Sequence, residues 1–575
     1  MTLGPLIVQS DHTVLLEVAH PDAEDARHAL AVFAELERAP EHIHTYRITR
    51  LGLWNARAAG HTDEEIVATL DRYAKFPVPT QVSSEISETM RRYGRLTIER
   101  AEPDRGARGD APHGSPDAPS PLLGSAPQTD GSAPLVLRSD NPSILREVAS
   151  AKKIAPLLER RIDDSSYEVQ PWARGELKQQ LVARGWPAED LAGYTPGEPY
   201  DIELVQNGWQ LRDYQRKAVD AFDAGGSGVV VLPCGAGKTI VGAAAMSAVG
   251  AKTLILVTNA VSARQWRDEL LRRTTLTEDE IGEYSGQVKE VKPVTIATYQ
   301  ILTSRRRGQY AHLSLLNAQD WGLIVYDEVH LLPAPVFKLT AELQARRRIG
   351  LTATLVREDG REGDVFSLIG PKRYDAPWKD IEAQGFIAPA ACFEIRVDLP
   401  ESERFEYSIA EDQDRYRLAA SASTKQQVAR RIIARHEGES ILVIGQYIDQ
   451  LEDFAEALDA PLITGQTPVD ERERLFQSFR GGEIKLLVVS KVANFSVDLP
   501  DASVAIQISG SFGSRQEEAQ RLGRLLRPKA DGLAASFYTL VTRDTVDQDF
   551  AQNRQRFLAE QGYSYTIMNA DELQP

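Results

Sequence analysis

Cysteine is almost missing from this chain: 575 residues contain only Cys234 and Cys392. Two thiols so far apart supply neither a disulfide framework nor a cysteine-built zinc site. Long apolar runs are missing as well. No stretch approaches the roughly 20 apolar residues a membrane helix requires. Met1-Thr2-Leu3-Gly4-Pro5 carries no basic segment leading into an apolar one, so a cytoplasmic protein is expected rather than a secreted or membrane-spanning one. Positive charge is in deficit. A net charge of −17 speaks against a protein that coats nucleic acid through general basicity. Two basic runs survive within that deficit, Arg305-Arg306-Arg307 and Arg346-Arg347-Arg348, and each alone reads as solvated surface. Hydrophobic residues at 42% and charged residues at 26% are ordinary for a globular chain, and the length suggests about three or four domains.

What is present is a phosphate-cradle pattern. The β-branched run Gly228-Val229-Val230-Val231 leads into Leu232-Pro233-Cys234-Gly235-Ala236-Gly237-Lys238-Thr239 and then an apolar helix through Met246. Glycines let backbone N–H groups converge on an anion at a helix N-terminus, with Lys238 reaching the terminal phosphates and Thr239 offering a hydroxyl to Mg²⁺. The strict pattern has glycine where this chain has Leu232, so the loop alone leaves open a strand–helix turn that binds nothing. Cys234 reads as a small filler.

The N-terminal part is a mixture of short elements. Leu6–Val8 and Thr13–Val18 read as a hairpin, and Asp22 to Glu37 has helical spacing. Thr62-Asp63-Glu64-Glu65 has capping-box spacing ahead of a further helix. Between about 101 and 134, seven prolines from Pro103 to Pro134 alternate with Gly, Ser, Ala and Asp. That composition buries too little surface to offset ordering entropy, so disorder is predicted. Leu135-Val136-Leu137 reads as a strand, and Pro142 to Ile162 as a helix broken at Pro156. Tyr167 to Leu204 reads as a smaller unit with a helix around Leu177–Leu181.

Beyond Leu211 the pattern changes to apolar strands alternating with amphipathic helices. Strands are expected at Thr253–Thr258, Val294–Tyr299 and Leu323–Tyr326, and again at Ile441–Ile444, Leu486–Val489 and Val504–Ile508. Such alternation predicts parallel sheets covered by helices on both faces, here in two α/β lobes in series.

The chemistry falls at strand ends. Asp327-Glu328 closes the run Leu323-Ile324-Val325-Tyr326, where ligands sit in open α/β sheets. Asp327 is suited to hold Mg²⁺ and Glu328 to orient and deprotonate a water, since phosphoryl transfer asks chiefly for positioning and charge neutralisation. In the second lobe Arg524 and Arg527 share a helix face. Alone that helix could be basic surface; beside a phosphate loop and an acidic pair, its guanidiniums are assigned to the γ-phosphate charge.

In order, Pro233–Thr239, Asp327-Glu328-Val329-His330, Leu351-Thr352-Ala353-Thr354 and Gln520–Arg527 resemble the motifs of a superfamily 2 helicase. Within it the chain is similar to the XPB family of DNA repair and transcription helicases. Its DEVH box and the triplet Arg357-Glu358-Asp359 carry that likeness, with Ser490-Lys491-Val492, Gly513–Glu517 and Gln555–Ser564. Val492-Ala493-Asn494-Phe495-Ser496 departs from the family's usual Gly-Asp run, and the 101–134 insertion looks peculiar to this chain.

The resemblance implies an α/β protein with two tandem RecA-like parallel-sheet lobes and a thumb excursion, behind small α+β domains. The expected division is 1–163 N-terminal α+β domain, 164–204 damage-recognition-like domain, 205–388 ATP-binding lobe 1, and 389–575 lobe 2 with the thumb at about 398–424. It further implies that Arg212 and Gln215 recognise adenine. Pro233, Cys234, Gly235, Ala236, Gly237, Lys238 and Thr239 would hold phosphate, and Thr239 and Asp327 Mg²⁺. Glu328 would be the general base, and Asp498, Gln520, Arg524 and Arg527 would complete the site. His330, Thr352 and Thr354 would couple nucleotide to DNA, and Arg357, Glu358 and Asp359 would act at the DNA junction. The implied activity is ATP-dependent, 3′→5′ DNA unwinding or translocation in nucleotide excision repair. The expected protein is a monomer acting on single-strand/duplex junctions with a repair nuclease as a further partner. An ATP-switched scaffold that opens DNA and recruits that nuclease stays open, as does an RNA-directed motor.

Overall fold

The computed structural model describes residues 4–38, 42–101, 133–233, 235–306, 309–333, 336, 343–344, 346–353, 355, 361–376, 381, 390–490, 502–510, 535–552 and 565–573. Two seven-stranded sheets dominate it. The first runs Ile281–Tyr284, Val294–Thr298, Thr253–Val257, Leu323–Asp327, Arg347–Thr352, Ser227–Val231, Lys372–Asp375 in spatial order, with every pairing parallel. The second runs Leu462–Ile463, Leu486–Ser490, Ile441–Gly445, Val504–Gln507, Ala535–Thr542, Ala390–Val397, Tyr565–Asn569, again all parallel. Their central strands are largely apolar, as in Val229-Val230 and Leu254-Ile255, because helices cover both faces. The fold is α/β with two tandem RecA-like lobes. Among the described residues no helix is long and apolar enough to cross a membrane.

Helices Glu401–Ile409 and Asp412–Ala420 occupy the excursion expected at 398–424. The first buries none of its residues.

Ahead of the lobes lie two antiparallel-rich units. Leu6–Val8, Thr13–Glu17, Ile43–Ile48 and Ala34–Arg38 form a four-stranded sheet. The expected 22–37 helix is shorter than its spacing suggests. It spans Ala23–Leu30, and Ala34–Arg38 is a strand because Ala34 and Leu36 alternate inward against Ile43–Ile48. The capping box at Thr62 is formed, with Thr62 Oγ1 accepting from Glu65 N at 3.2 Å and Glu65 Oε2 from Thr62 N at 3.0 Å. The 142–162 helix ends at Ala149. A 3₁₀ turn at Ala155–Leu157 follows, and Leu158–Arg161 continues as a strand.

The boundary drawn at 163/164 falls inside one sheet. Leu158–Arg161, Ser166–Val169, Leu135–Ser139, Leu96–Arg100 and Ala188–Asp190 pair side by side in that order, so the two sides of that boundary share a backbone ladder. Leu96–Arg100 and Leu135–Ser139 are antiparallel neighbours, and Ala101 N donates to Pro134 O at 2.9 Å. The insertion therefore leaves and re-enters at a single point. The disorder expected of it concerns residues that are mostly outside the described ones.

Both units lie against lobe 1. Phe366 of helix Glu362–Leu368 meets Trp54 and Tyr93 at ring-centroid distances of 6.5 and 6.2 Å. Asn55 Oδ1 accepts from Lys372 N at 2.9 Å, and Gln179 Nε2 donates to Asp364 Oδ1 at 2.9 Å. The 346–348 basic run is not solvated surface. Arg347 and Arg348 open the Arg347–Thr352 strand inside the sheet and are buried. Arg347 donates to Asp223 Oδ1 at 2.7 Å, and Arg348 to the Leu343, Gln344 and Leu368 carbonyls. Only Arg346 remains part-exposed, paired with Asp320 at 2.6 Å. Arg305 and Arg306 are exposed on a two-residue strand, and Arg307 is outside the described residues.

Candidate active site at the carboxyl edge of lobe 1

Three adjacent strands set the site. Val231 is in register with Thr352, and Leu351 with Asp327, so the phosphate loop, the Thr352 turn and the acidic pair leave the sheet on one edge. Leu232 needs no glycine. Its N donates to Thr352 O at 2.9 Å, and its side chain is buried in the core.

Glycine is needed at Gly237. Its φ of +80° is left-handed, and a Cβ there would lie 2.6 Å from Gln215 Nε2. Helix Lys238–Val249 then starts with no side-chain cap, leaving its first N–H groups without helical partners, as anion binding asks.

Gln215 and Tyr214 hold the loop from behind. Gln215 Nε2 and Tyr214 Oη both donate to Ala236 O, at 2.9 and 2.7 Å. Gln215 Oε1 accepts from Arg212 N at 3.0 Å, and Arg212 Nη1 donates to Tyr214 Oη at 3.0 Å. In this structure the Gln215 amide is buried and shapes the loop.

Lys238 Nζ lies 3.5 Å from Glu328 Oε1. Glu328 has φ +49° and ψ +55°, a conformation L residues rarely adopt, and its Oε2 is 3.5 Å from His330 Nδ1. His330 Nδ1 is in turn 2.6 Å from Thr352 Oγ1, both residues being buried. A chain of polar contacts thus runs Lys238, Glu328, His330, Thr352. Burial and the neighbouring Glu328 push Asp327 up to about 6, against the pull of Trp266 and Lys238.

Sequence reasoning missed two residues that hold Asp327. Trp266 Nε1 donates to Asp327 Oδ2 at 2.9 Å, and Tyr299 Oη donates to Asp327 O at 2.8 Å. In sequence each reads as ordinary core, and only the fold brings them to the acid.

The hydroxyl of Thr239 and the carboxylate of Asp327 are hard oxygen donors of the kind Mg²⁺ accepts alongside water and phosphate. Cys234, Thr354, Arg357, Glu358, Asp359, Asp498, Gln520, Arg524 and Arg527 lie outside the described residues.

Comparison with known proteins gives the family. Residues 381–574 match the ERCC3/RAD25/XPB C-terminal helicase model, and 208–357 the type III restriction enzyme res-subunit model. Residues 6–106 match a helicase conserved C-terminal domain model, here at the N-terminal end of the chain. A Kineococcus radiotolerans protein named DNA 3′-5′ helicase XPB is 63% identical, covering 100% of this chain and 98% of that protein. A Mycobacterium tuberculosis protein of the same name is 60% identical over 100% and 99%. The Saccharomyces cerevisiae general transcription and DNA repair factor IIH helicase/translocase subunit XPB/SSL2 is 32% identical over 98% of this chain and 72% of its own length. This chain belongs to the XPB family of DNA helicases.

Proposed function

We propose that this chain is an ATP-dependent 3′→5′ DNA helicase that serves DNA repair of the nucleotide-excision type. The observation that carries the reading is the meeting of Lys238 with Glu328 at one sheet edge, in a chain whose full-length relatives carry the name DNA 3′-5′ helicase XPB.

ATP is the substrate. Its phosphates would be held by Gly235–Thr239 and its base by Arg212 and Gln215, with Thr239 and Asp327 holding Mg²⁺. The bound ion supplies neutralisation of phosphate charge. Glu328 orients the attacking water and accepts its proton, its Oε1 lying 3.5 Å from Lys238 Nζ and its Oε2 3.5 Å from His330 Nδ1. Thr352, joined to His330, carries the occupancy of this edge into the turn ahead of Thr354. Asp498, Gln520, Arg524 and Arg527 belong to the reading as lobe 2's contribution, and Arg357, Glu358 and Asp359 as the contact at the DNA junction. The 398–424 excursion is assigned as the thumb and the 164–204 stretch to damage recognition. A monomer in the cytoplasm, working with a repair nuclease, completes the proposal.

Strand separation on duplexes with a 3′ or a 5′ single-stranded tail tests it. ATP-dependent separation of the 3′-tailed duplex alone is expected. ATP hydrolysis with separation of neither would overturn it in favour of a switched scaffold, and stimulation by RNA in place of DNA would overturn the DNA assignment.

A further inference from the structure

The indole nitrogen of Trp266 makes an unusual choice of partner. A buried tryptophan needs an acceptor for its N–H, and a backbone carbonyl normally suffices. Trp54, Trp209 and Trp321 use one each, donating to Thr89 O, Val205 O and Leu315 O at 3.1, 2.7 and 3.1 Å. Trp266 donates instead to the side chain of Asp327, Oδ2 at 2.9 Å.

Its placement gives that bond a purpose. Trp266 lies on helix Ala260–Arg273 and is 1% exposed. Its ring is wedged against Gly242 of the helix that follows the phosphate loop, where an added Cβ would stand 2.4 Å from Trp266 Cη2. The six-membered ring therefore lies against the element bearing Thr239, and the ring nitrogen touches Asp327. A carboxylate turns easily about its last torsion. Tyr299 Oη anchors the Asp327 backbone carbonyl at 2.8 Å and does nothing for that rotation. Trp266 fixes it.

We propose that Trp266 is a positioning residue for the divalent metal: its N–H locks the Asp327 carboxylate in the orientation that Mg²⁺ requires, at a set distance from the Thr239 helix. This rests on the reading of Asp327 as a metal ligand. Mg²⁺ demands near-octahedral geometry, and loss of a hydrogen bond from the shell outside the ligands costs about 10- to 100-fold in metal affinity. No aliphatic or phenyl side chain can substitute, since none carries a ring N–H.

The test uses the full-length protein in two variants. Trp266→Phe removes the donor. Replacement of Trp266 by benzothienylalanine, which puts sulfur in place of N–H in a ring of the same shape, removes only the donor and decides the matter if the phenylalanine variant folds poorly. Mn²⁺ binding is titrated by electron paramagnetic resonance with a non-hydrolysable ATP analogue present, and analogue binding is measured without metal. Mn²⁺ affinity weaker by about ten-fold or more in both variants is expected, with metal-free analogue affinity unchanged. The Mg²⁺ concentration for half-maximal ATP turnover should rise by a similar factor, with kcat regained at saturating metal. Mn²⁺ affinity within about two-fold of wild type in the benzothienylalanine protein overturns the proposal alone. A wild-type protein that binds no Mn²⁺ with the analogue overturns the metal-site reading of Asp327 together with it.

Discussion

Gln215 Nε2 donates to the carbonyl of Ala236 at 2.9 Å, joining the helix that precedes the first lobe-1 strand to the tip of the phosphate loop. Gln215→Ala leaves that carbonyl to Tyr214 alone and removes the acceptor for Arg212 N. Stability is expected to fall by about 1–3 kcal/mol, and ATP affinity by about ten-fold, a difference of roughly 1.4 kcal/mol. Urea denaturation and nucleotide titration check the two effects. ATP affinity unchanged alongside lower stability would make Gln215 purely structural.

Four charges meet where the five-stranded unit joins lobe 1. Asp190 accepts from Arg174 at 2.8 Å and Lys178 at 2.7 Å, and Tyr194 lies between the Arg174 and Arg348 guanidiniums at 5.6 and 5.7 Å. One carboxylate among three cations is held far below its usual range despite its burial, while burial and the neighbouring guanidiniums bring Lys178 down to about 8. Removing the anion and removing this cation should therefore have opposite outcomes. Asp190→Asn strands buried cations and should cost about 3–5 kcal/mol. Lys178→Met should be neutral or stabilising at pH 7.

The same lysine sets a pH dependence. In the unfolded chain it titrates near 10.5, in the fold near 8, so between these values the unfolded state binds the extra proton. Wild-type stability should rise by up to about 3 kcal/mol from pH 8 to 10.5 and lose that contribution below pH 8. Lys178→Met should lack the rise. Denaturation at pH 7, 8.5 and 10 measures it, and parallel curves for the two proteins would show that Lys178 does not set the dependence.

The parallel lobes were legible because strands buried on both faces are mostly apolar, as at Val229–Val231 and Ile324–Tyr326. The acidic pair Asp327-Glu328 was legible as a candidate because its acids end such a strand. The N-terminal units were harder. At Ala34–Arg38 a helical spacing and a strand alternation share the same residues, and only pairing with Ile43–Ile48 decides. Arg347 and Arg348 misled because long-range partners at Asp223 and Leu368 leave no trace in local sequence. Trp266 was invisible for the same reason.

His330 joins the Glu328 carboxylate to Thr352 Oγ1 through contacts of 3.5 and 2.6 Å. His330→Ala is expected to keep ATP turnover without DNA near its wild-type rate and to lower the DNA-stimulated increase about 5- to 150-fold, the usual range of a coupling energy. Steady-state ATPase with and without single-stranded DNA measures this. A proportionate loss of both rates would place His330 in the chemical step only.

Ala101 and Pro134 are backbone-bonded neighbours at the mouth of the insertion. Replacing residues 102–132 by a two-residue Asn-Gly turn should leave thermal stability within about 2–4 °C of wild type, an effect below roughly 1 kcal/mol. ATP turnover should be unchanged. A scanning calorimetry shift well beyond that range would show that the insertion contributes to the fold.

Hydrolysis of ATP at the carboxyl edge of lobe 1, with Lys238 and Glu328 as its two working side chains, is the proposal on which the others rest. Its most direct measurement is ATP binding and DNA-stimulated turnover in Glu328→Gln. ATP is expected to bind as in wild type while turnover falls about 100-fold or more. Turnover within a few-fold of wild type would contradict it.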